Sequence, residues 1–404
     1  MNMRKFGFIF AAIGTFVFVL CGFSGCANND YEGGSPVFGP LFCTLRLYGG
    51  DSKGAAKEIF AMMKAIDMDV STTVVNSPVY KFNNKKDKTP SDKFEISAAA
   101  YEMVTQSQEI YQETSGIYNP AIYPLVERWG VSSDKLYADQ SKSVLPTDVE
   151  IAEMLKYCKY EYLDAVMSVE GKVKKYFISV KADAPDEAKY MQIDFGGYAK
   201  GYAADKAVEI CRKKRVEYGT INISGNLYLL GQKSDGTKWN ISLKDPFEKG
   251  DPFCTFKTEE ISPVTSGVNE RYYKIDSSGT WKGTSETEPL FDGNPYIAHI
   301  IDNRNGFPLN LRRDSVSGVY SNTADGVVCA TVFAEKSAYA DAYAKYVAVM
   351  GLSDGIAFLK DKGLRGIIIT ADGRYAAVGG IELSGEGYSE VYKEYKAVEG
   401  YGFL

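Results

Sequence analysis

Only one stretch of this 404-residue chain is apolar enough to reach across a bilayer, and it lies near the start: Phe6 to Phe23, preceded by Arg4 and Lys5. About 18 apolar residues just suffice for a span. The later apolar runs are therefore expected to pack into a core that the chain builds for itself. The composition permits that. At 45% hydrophobic and 24% charged, the chain is neither disordered nor collagen-like nor a coiled coil. With 46 basic against 52 acidic residues, it has no surplus of positive charge to hold a nucleic acid. His299 is its one histidine. A site built from several histidines is excluded, and any histidine acid or base must be that residue.

A positive n-region, an apolar h-region and the lack of any acid before Asp30 form the pattern of an export signal. The stretch ends in Phe23-Ser24-Gly25-Cys26. Small residues just before a cysteine suit the narrow site of a lipoprotein signal peptidase. Residues 1–25 are expected to be removed and Cys26 to carry the lipid, holding the mature protein on the extracytoplasmic face of the cell membrane. The competing reading is an uncleaved transmembrane anchor. Cys21 is the poorer processing site, because Leu20 precedes it. Residues 26–37, with the polar NNDYEGGS at 28–35, read as a tether, and 38–404 as the folded domain. Cys43, Cys158, Cys211, Cys254 and Cys329 form no CxxC pair and lie mostly in apolar runs, so buried thiols are expected.

Strand and helix patterns alternate irregularly along 38–404. Cys43 to Tyr48 alternates as a strand does. Residues 54–68 put Ile59, Phe60, Met63 and Ile66 on one helical face, and residues 95–112 do the same with Ile96, Ala100, Met103 and Val104. Thr220 to Leu230 reads as two short strands around Ser224-Gly225-Asn226. Residues 337–350 form a helix of small residues, with Ala340, Ala344, Val347 and Ala348 inward. Ile367 to Val378 is a hairpin turning at Asp372-Gly373. The charged segments 231–237 and 274–293 read as surface loops. There is no internal repeat and no proline-rich linker, so the fold class is α+β in one large domain.

Four segments carry residues suited to chemistry. Residues 194–205 read DFGGYAKGYAAD. Paired glycines before a helix bring backbone N–H groups to a phosphate, and Lys200 adds a charge. This is neither GxGxxG nor a Walker loop, and an ordinary strand-to-helix turn gives the same pattern. Residues 299–308 place His299, Asp302 and Arg304 ahead of a glycine turn. A histidine titrates near neutrality and suits general-base work, though a lone one also serves structure. Thr265, Ser266 and Gly267 open a polar segment running to Arg271, fit for a ligand or for a plain loop. Asp341 at a small-residue helix suits a hard cation, while Lys345 at i+4 makes an ion pair the plainer alternative.

In this order, these segments resemble the ApbE family of FAD-dependent FMN transferases. The family's D-x-G-G-x-A-K-G-x-x-x-D run is matched by Asp194, Gly196, Gly197, Ala199, Lys200, Gly201 and Asp205. Its Gly-Gly-Asp-like segment is similar to Ser224-Gly225-Asn226, and its T-S-G motif to Thr265-Ser266-Gly267. Its H-x-[IV]-D-P-x-x-G-x-P motif is similar to His299, Asp302, Arg304, Gly306 and Pro308. Its A-D-A helix is similar to Ala340-Asp341-Ala342, and its G-x-F-D-P…W-G stretch to Ser115–Pro120 and Trp129-Gly130.

The resemblance implies a T-fold-like α+β architecture with FAD in a cleft between two lobes. It implies Mg²⁺, cleavage of the FAD diphosphate, and FMN joined by a phosphoester to Thr or Ser of a partner flavoprotein. His299 would take the proton of the attacking hydroxyl. The flavin ligands would be Asp194, Gly196, Gly197, Lys200, Asp205, Ser224, Gly225, Asn226, Thr265, Ser266, Gly267, Asp302 and Arg304. The metal positions fall on Ala199, Asp341 and Lys345, where a charged lysine does not ligate and instead takes the cation's place. Pro40-Leu41-Phe42, Ser71-Thr72-Thr73 and Asn119 also depart from the family pattern, on the side facing the flavin ring. Other readings are an FAD pyrophosphatase with water as nucleophile, a weakly catalytic FAD-binding lipoprotein and, setting the resemblance aside, a solute-binding lipoprotein. Cys26→Ser is expected to leave an unlipidated precursor that keeps its apolar leader. Intact-mass analysis checks this, and normal processing of the variant would refute the assignment.

Overall fold

The strand Val327–Ala334 (VVCATVFA) is buried along its whole length. A run without polar alternation needs cover on both faces. The helix Ser337–Met350 packs on it, and the ribbon of Trp239–Lys244 and Pro252–Thr258 sets Phe256 against its Phe333, ring centroids 5.2 Å apart. The computed structural model describes residues 29–39, 41–132, 144–247, 252–383 and 395–403. The leader, Cys26 and Pro40 lie outside the described residues.

That strand belongs to a nine-stranded sheet whose spatial order follows the chain: Tyr31–Val37, Leu41–Tyr48, Tyr218–Ile223, Asn226–Leu230, Ser262–Gly267, Val327–Ala334, Arg365–Thr370, Arg374–Val378 and Lys396–Ala397. All pairings except the last are antiparallel. The expected strand pair around Ser224-Gly225 and the hairpin at Asp372-Gly373 are both present. Cys43, Cys158, Cys211, Cys254 and Cys329 are free and buried, as their apolar surroundings suggested.

Two readings from sequence are corrected. Residues 31–37, taken as tether, are the edge strand of the main sheet. Glycine there serves packing: a Cβ on Gly34 would lie 2.3 Å from the ring of Phe42. Pro36 is tolerated because the strand is at the edge. Residues 274–293, taken as a surface loop, are built into a smaller sheet of Tyr272–Ile275, Trp281–Thr284 and Tyr296–Ala298. Lys274 is fully buried, pairs with Asp292 at 2.6 Å and donates to the carbonyls of Leu290 and Asn294. Its charge made the segment look solvated, but an ammonium whose three protons each meet an oxygen can be buried.

The small sheet and the 120–158 region share a second core, with Leu125, Trp129, Ile151, Tyr273 and Ile297 at its centre. The fold is thus α+β with two lobes, and a cleft is lined by Val70 and Leu227 of the larger core and by Tyr123, Val131 and Ile301 of the smaller.

The helix Ala199–Lys213 packs between Ser52–Val70 and Ser337–Met350. Gly201 makes this possible, since a Cβ there would lie 2.4 Å from the carbonyl oxygen of Ser337. One turn on, Asp205 accepts from the amides of Ser337 (2.7 Å) and Ala338 (3.0 Å). Lys336, the residue at the cap of that helix, supplies no side-chain bond. Asp205, expected to bind the flavin, is therefore a helix cap contributed from a neighbouring helix, and burial pushes its carboxyl up to about 6. Asp205→Ala is expected to destabilise the fold by about 1–2 kcal/mol, the usual cost of a lost cap. Denaturant unfolding measures it, and an unchanged midpoint would remove the capping role.

Candidate functional site

The cleft encloses about 490 Å³, within the range of small-molecule and cofactor sites. Its floor is the segment leading into the Ala199 helix. Asn83 holds that segment outside the sheets. Its amide donates to the carbonyl of Ile193, and its Oδ1 accepts from the Ile193 N–H, both at 2.8 Å. Asp194 then turns the chain, its carboxylate accepting the Gly196 N–H at 2.8 Å. Burial pushes the Asp194 carboxyl up, against the opposing pull of that N–H and of Arg271. Gly197 follows, and the stem of Lys345 crosses it. A Cβ on Gly197 would lie 3.0 Å from Cε and 3.2 Å from Cδ of that lysine.

Lys345 pairs through its ammonium with Oδ1 of Asp341, one helical turn earlier, and donates to the Asp341 carbonyl at 3.1 Å. Oδ2 of Asp341 accepts from Asn226 Nδ2 at 2.9 Å and from the Gly201 N–H at 3.3 Å. The carboxylate is closed off, with 1% of the residue exposed. Lys200 and Arg271 line the same cleft. Within the described residues, neither side chain makes a hydrogen bond or ion pair. Burial pushes the Lys200 ammonium down, partly offset by Asp341.

His299 stands beside Arg271 because Tyr272 pairs with Ala298 in the small sheet. The Arg271 carbonyl accepts from the His299 main-chain N–H at 3.2 Å and lies 3.1 Å from Nδ1. A carbonyl only accepts, so Nδ1 carries the ring proton and Nε2 keeps its lone pair. Burial above all, then the Arg271 charge, hold the imidazole well below its ordinary 6.5. The ring is neutral at pH 7 and suited to accept a proton.

Of the residues singled out from sequence, Asp194, Gly196, Gly197, Ala199, Lys200, Ser224, Gly225, Thr265, Ser266, Gly267, His299 and Lys345 line the cleft. Ser224 and Gly225 do so as a tight two-residue turn with φ of 43° and 94°. The Ser224 hydroxyl is already engaged, accepting from the Phe42 N–H at 2.9 Å. Thr265 shares a hydrogen bond with Thr331 at 2.8 Å.

Five others do not line the cleft, and most of their polar groups are engaged within the fold. Asp205 caps a helix. Asn226 donates through Nδ2 to the Asp341 carboxylate, while its own Oδ1 is buried without a hydrogen-bond partner. Asp302 and Arg304 pair within their own turn, Nε to Oδ1 at 2.9 Å and Nη2 to Oδ2 at 2.7 Å, and Arg304 also ties down the Val349 carbonyl. Their polar groups are consumed in folding the loop that presents His299 and Ile300.

Arg271 was overlooked in the sequence. The signal was its place: it closes the polar 265–271 segment directly before the buried strand Tyr272–Ile275, the central strand of the small sheet, which fixes where a long cation begins. Among the described residues, no three His, Cys, Asp or Glu side chains are grouped to hold a metal ion.

The model of the ApbE family matches residues 41–368. The chain belongs to the ApbE family. It is similar to the FAD:protein FMN transferase of Treponema pallidum (strain Nichols), 25% identical over 397 residues that cover 92% of this chain and 94% of the relative. It is similar to the enzyme of the same name from Escherichia coli K12, 23% identical over 335 residues, with 82% of each covered. Among solved structures, the ApbE protein of Thermotoga maritima superposes with a TM-score of 0.65 at 24% identity, over 86% of this chain and 97% of that one. The flavin transferase ApbE of Vibrio cholerae does so with 0.63 at 21%, over 86% and 97%. These likenesses show the α+β fold of the ApbE family.

The single histidine allows a direct check of the site's electrostatics. Its ring NMR signals are expected to stay those of the neutral, Nδ1-protonated form from pH 8 down past its ordinary 6.5. A depressed pKa means the free base persists to lower pH, so titration at or above 6.5 would contradict the buried, cation-flanked geometry.

Proposed function

We propose that this chain is an FAD-dependent FMN transferase, anchored by lipid at Cys26 on the extracytoplasmic face of the cell membrane and acting on Thr or Ser of flavoproteins there. The observation that carries the reading is the neutral His299, with Nε2 free, in the same cleft as Lys200, Arg271 and the Gly196-Gly197 turn. The relatives' shared name, FAD:protein FMN transferase, supports it. The apolar leader ending at Cys26 supports the anchor.

The residues divide the work. Lys200 and Arg271 offset the diphosphate charge, an effect that is strong where the surroundings are poorly solvated. Gly197, without a Cβ, lets the backbone come close to phosphate oxygens. His299 Nε2 accepts the proton of the acceptor hydroxyl, whose oxygen bonds to the FMN phosphorus. The phosphorus–oxygen bond to the adenylate breaks, and AMP leaves. With water in place of the hydroxyl, the same steps yield free FMN and AMP.

Magnesium, which the family resemblance implies, does not fit the residues as they stand. Mg²⁺ wants six oxygens at about 2.0–2.1 Å. Here a single buried carboxylate has one oxygen on the Lys345 ammonium and the other on Asn226 and Gly201.

Incubating the purified protein with FAD, with and without an acceptor peptide, and measuring AMP, FMN and FMN-peptide tests the reading. His299→Ala is expected to slow transfer on the order of 10²–10⁴-fold while leaving FAD retention in equilibrium dialysis close to wild type. Wild-type rates in that variant would take the base role from the histidine. Failure of the wild type to retain FAD would overturn the proposal.

A further inference from the structure

We infer that Lys345 is the resident cation of this site: its ammonium serves the diphosphate in place of a divalent metal, so FAD binding and FMN transfer proceed without one. The inference rests on the FMN-transferase reading above.

The first observation is the ammonium's own bonding. Of its three protons, one goes to Asp341 Oδ1 and one to the Asp341 carbonyl. Lys345 lines the cleft with 22% of its side chain exposed. One proton therefore remains for a ligand oxygen. The second is the fixing of its stem. The Cδ and Cε carbons lie where a Cβ on Gly197 would meet them, so the side chain is laid along the glycine turn. A flexible lysine on an open surface loses rotamer entropy when it binds; one already held does not.

The third observation is the state of Asp341. Its hydrogen-bond partners among the described residues all come from the fold: Lys345, Asn226 and Gly201. A divalent ion at this carboxylate would have to evict the ammonium, and among the described residues no three acids, cysteines or histidines are grouped to hold it. The fourth is charge. Lys200, Arg271 and Lys345 line one cleft, in a chain whose net charge is −6. All three act on His299, and Lys345 and Arg271 also act on Asp194. A doubly charged diphosphate meets three protein cations there, one of which a divalent ion would have displaced. The covalent steps are unchanged: the hydroxyl proton goes to His299, the new phosphoester forms, and AMP departs.

The test compares FAD affinity by equilibrium dialysis, and FMN transfer to an acceptor peptide, in EDTA and in millimolar Mg²⁺. Wild type is expected to give the same affinity and rate in both. Lys345→Met is expected to weaken FAD binding in EDTA on the order of 10–100-fold, the usual worth of a charged hydrogen bond. Lys345→Thr, which leaves Asp341 open to a metal, is expected to lose transfer in EDTA and regain it with Mg²⁺. Circular dichroism checks that both variants fold. The wild-type comparison needs no variant: if transfer stops in EDTA and returns with Mg²⁺, the lysine inference fails and the transferase reading stands. If wild type neither binds nor cleaves FAD in either buffer, the transferase reading fails and the inference falls with it.

Discussion

The carboxylate of Asp341 is buried among partners that come from three directions. Asn226 opens a central strand, Gly201 lies in the first turn of one helix, and Lys345 lies on the aspartate's own helix, one turn along. A buried carboxylate is costly unless each lone pair is met, so these elements are tied to one position. The Gly196-Gly197 turn inherits that position, because it leads into the Gly201 helix and carries the Lys345 stem across its second glycine. Removing any one partner leaves charge or polar groups unmet in the middle of the structure, which is why the arrangement behaves as a unit.

Around this anchor the two lobes supply different chemistry. The larger lobe contributes the glycine turn with Lys200, the Ser224-Gly225 turn and the Thr265–Gly267 strand end. The small sheet contributes His299 and Arg271, held side by side by strand pairing and by the contact of the His299 ring with the Arg271 carbonyl. Burial and neighbouring cations favour the uncharged imidazole, and the same cations favour an anion in the cleft. A base that stays neutral next to positive charge is what phosphoester formation at a hydroxyl calls for, since the charge stabilises the phosphate oxygens without protonating the base.

Much of the site was legible because its residues sit in short contiguous runs. Paired glycines before a helix, a lone histidine before a glycine turn and an aspartate with a lysine at i+4 are local patterns with local physical causes. The errors share a cause as well. Asp205, Asp302 and Arg304 are polar residues in the right runs, yet their hydrogen bonds go to backbone or to each other. A motif says that a polar group is needed; only its partners say whether a ligand or the fold needs it. Lys274 misled in the same way, since its buried ion pair with Asp292 depends on a turn 18 residues on.

The sequence by itself determined the alternation of strands and helices, the two hairpin turns, the burial of the thiols, the only residue available as a histidine base and the i,i+4 neighbourhood of Asp341 and Lys345. All of these depend on spacing, side-chain volume or residue count, which are properties of nearby residues. The tertiary structure decided that residues 31–37 complete a sheet, that Arg271 joins His299, that Lys200 and Arg271 face the cleft without hydrogen-bond partners among the described residues, and that both oxygens of Asp341 are occupied. Each of these joins segments far apart in the chain, as Asp341 joins residues 115 and 140 positions away. Whether a charge is spent on the fold or kept for a ligand is settled by which distant group reaches it first, and spacing along the chain does not contain that distance.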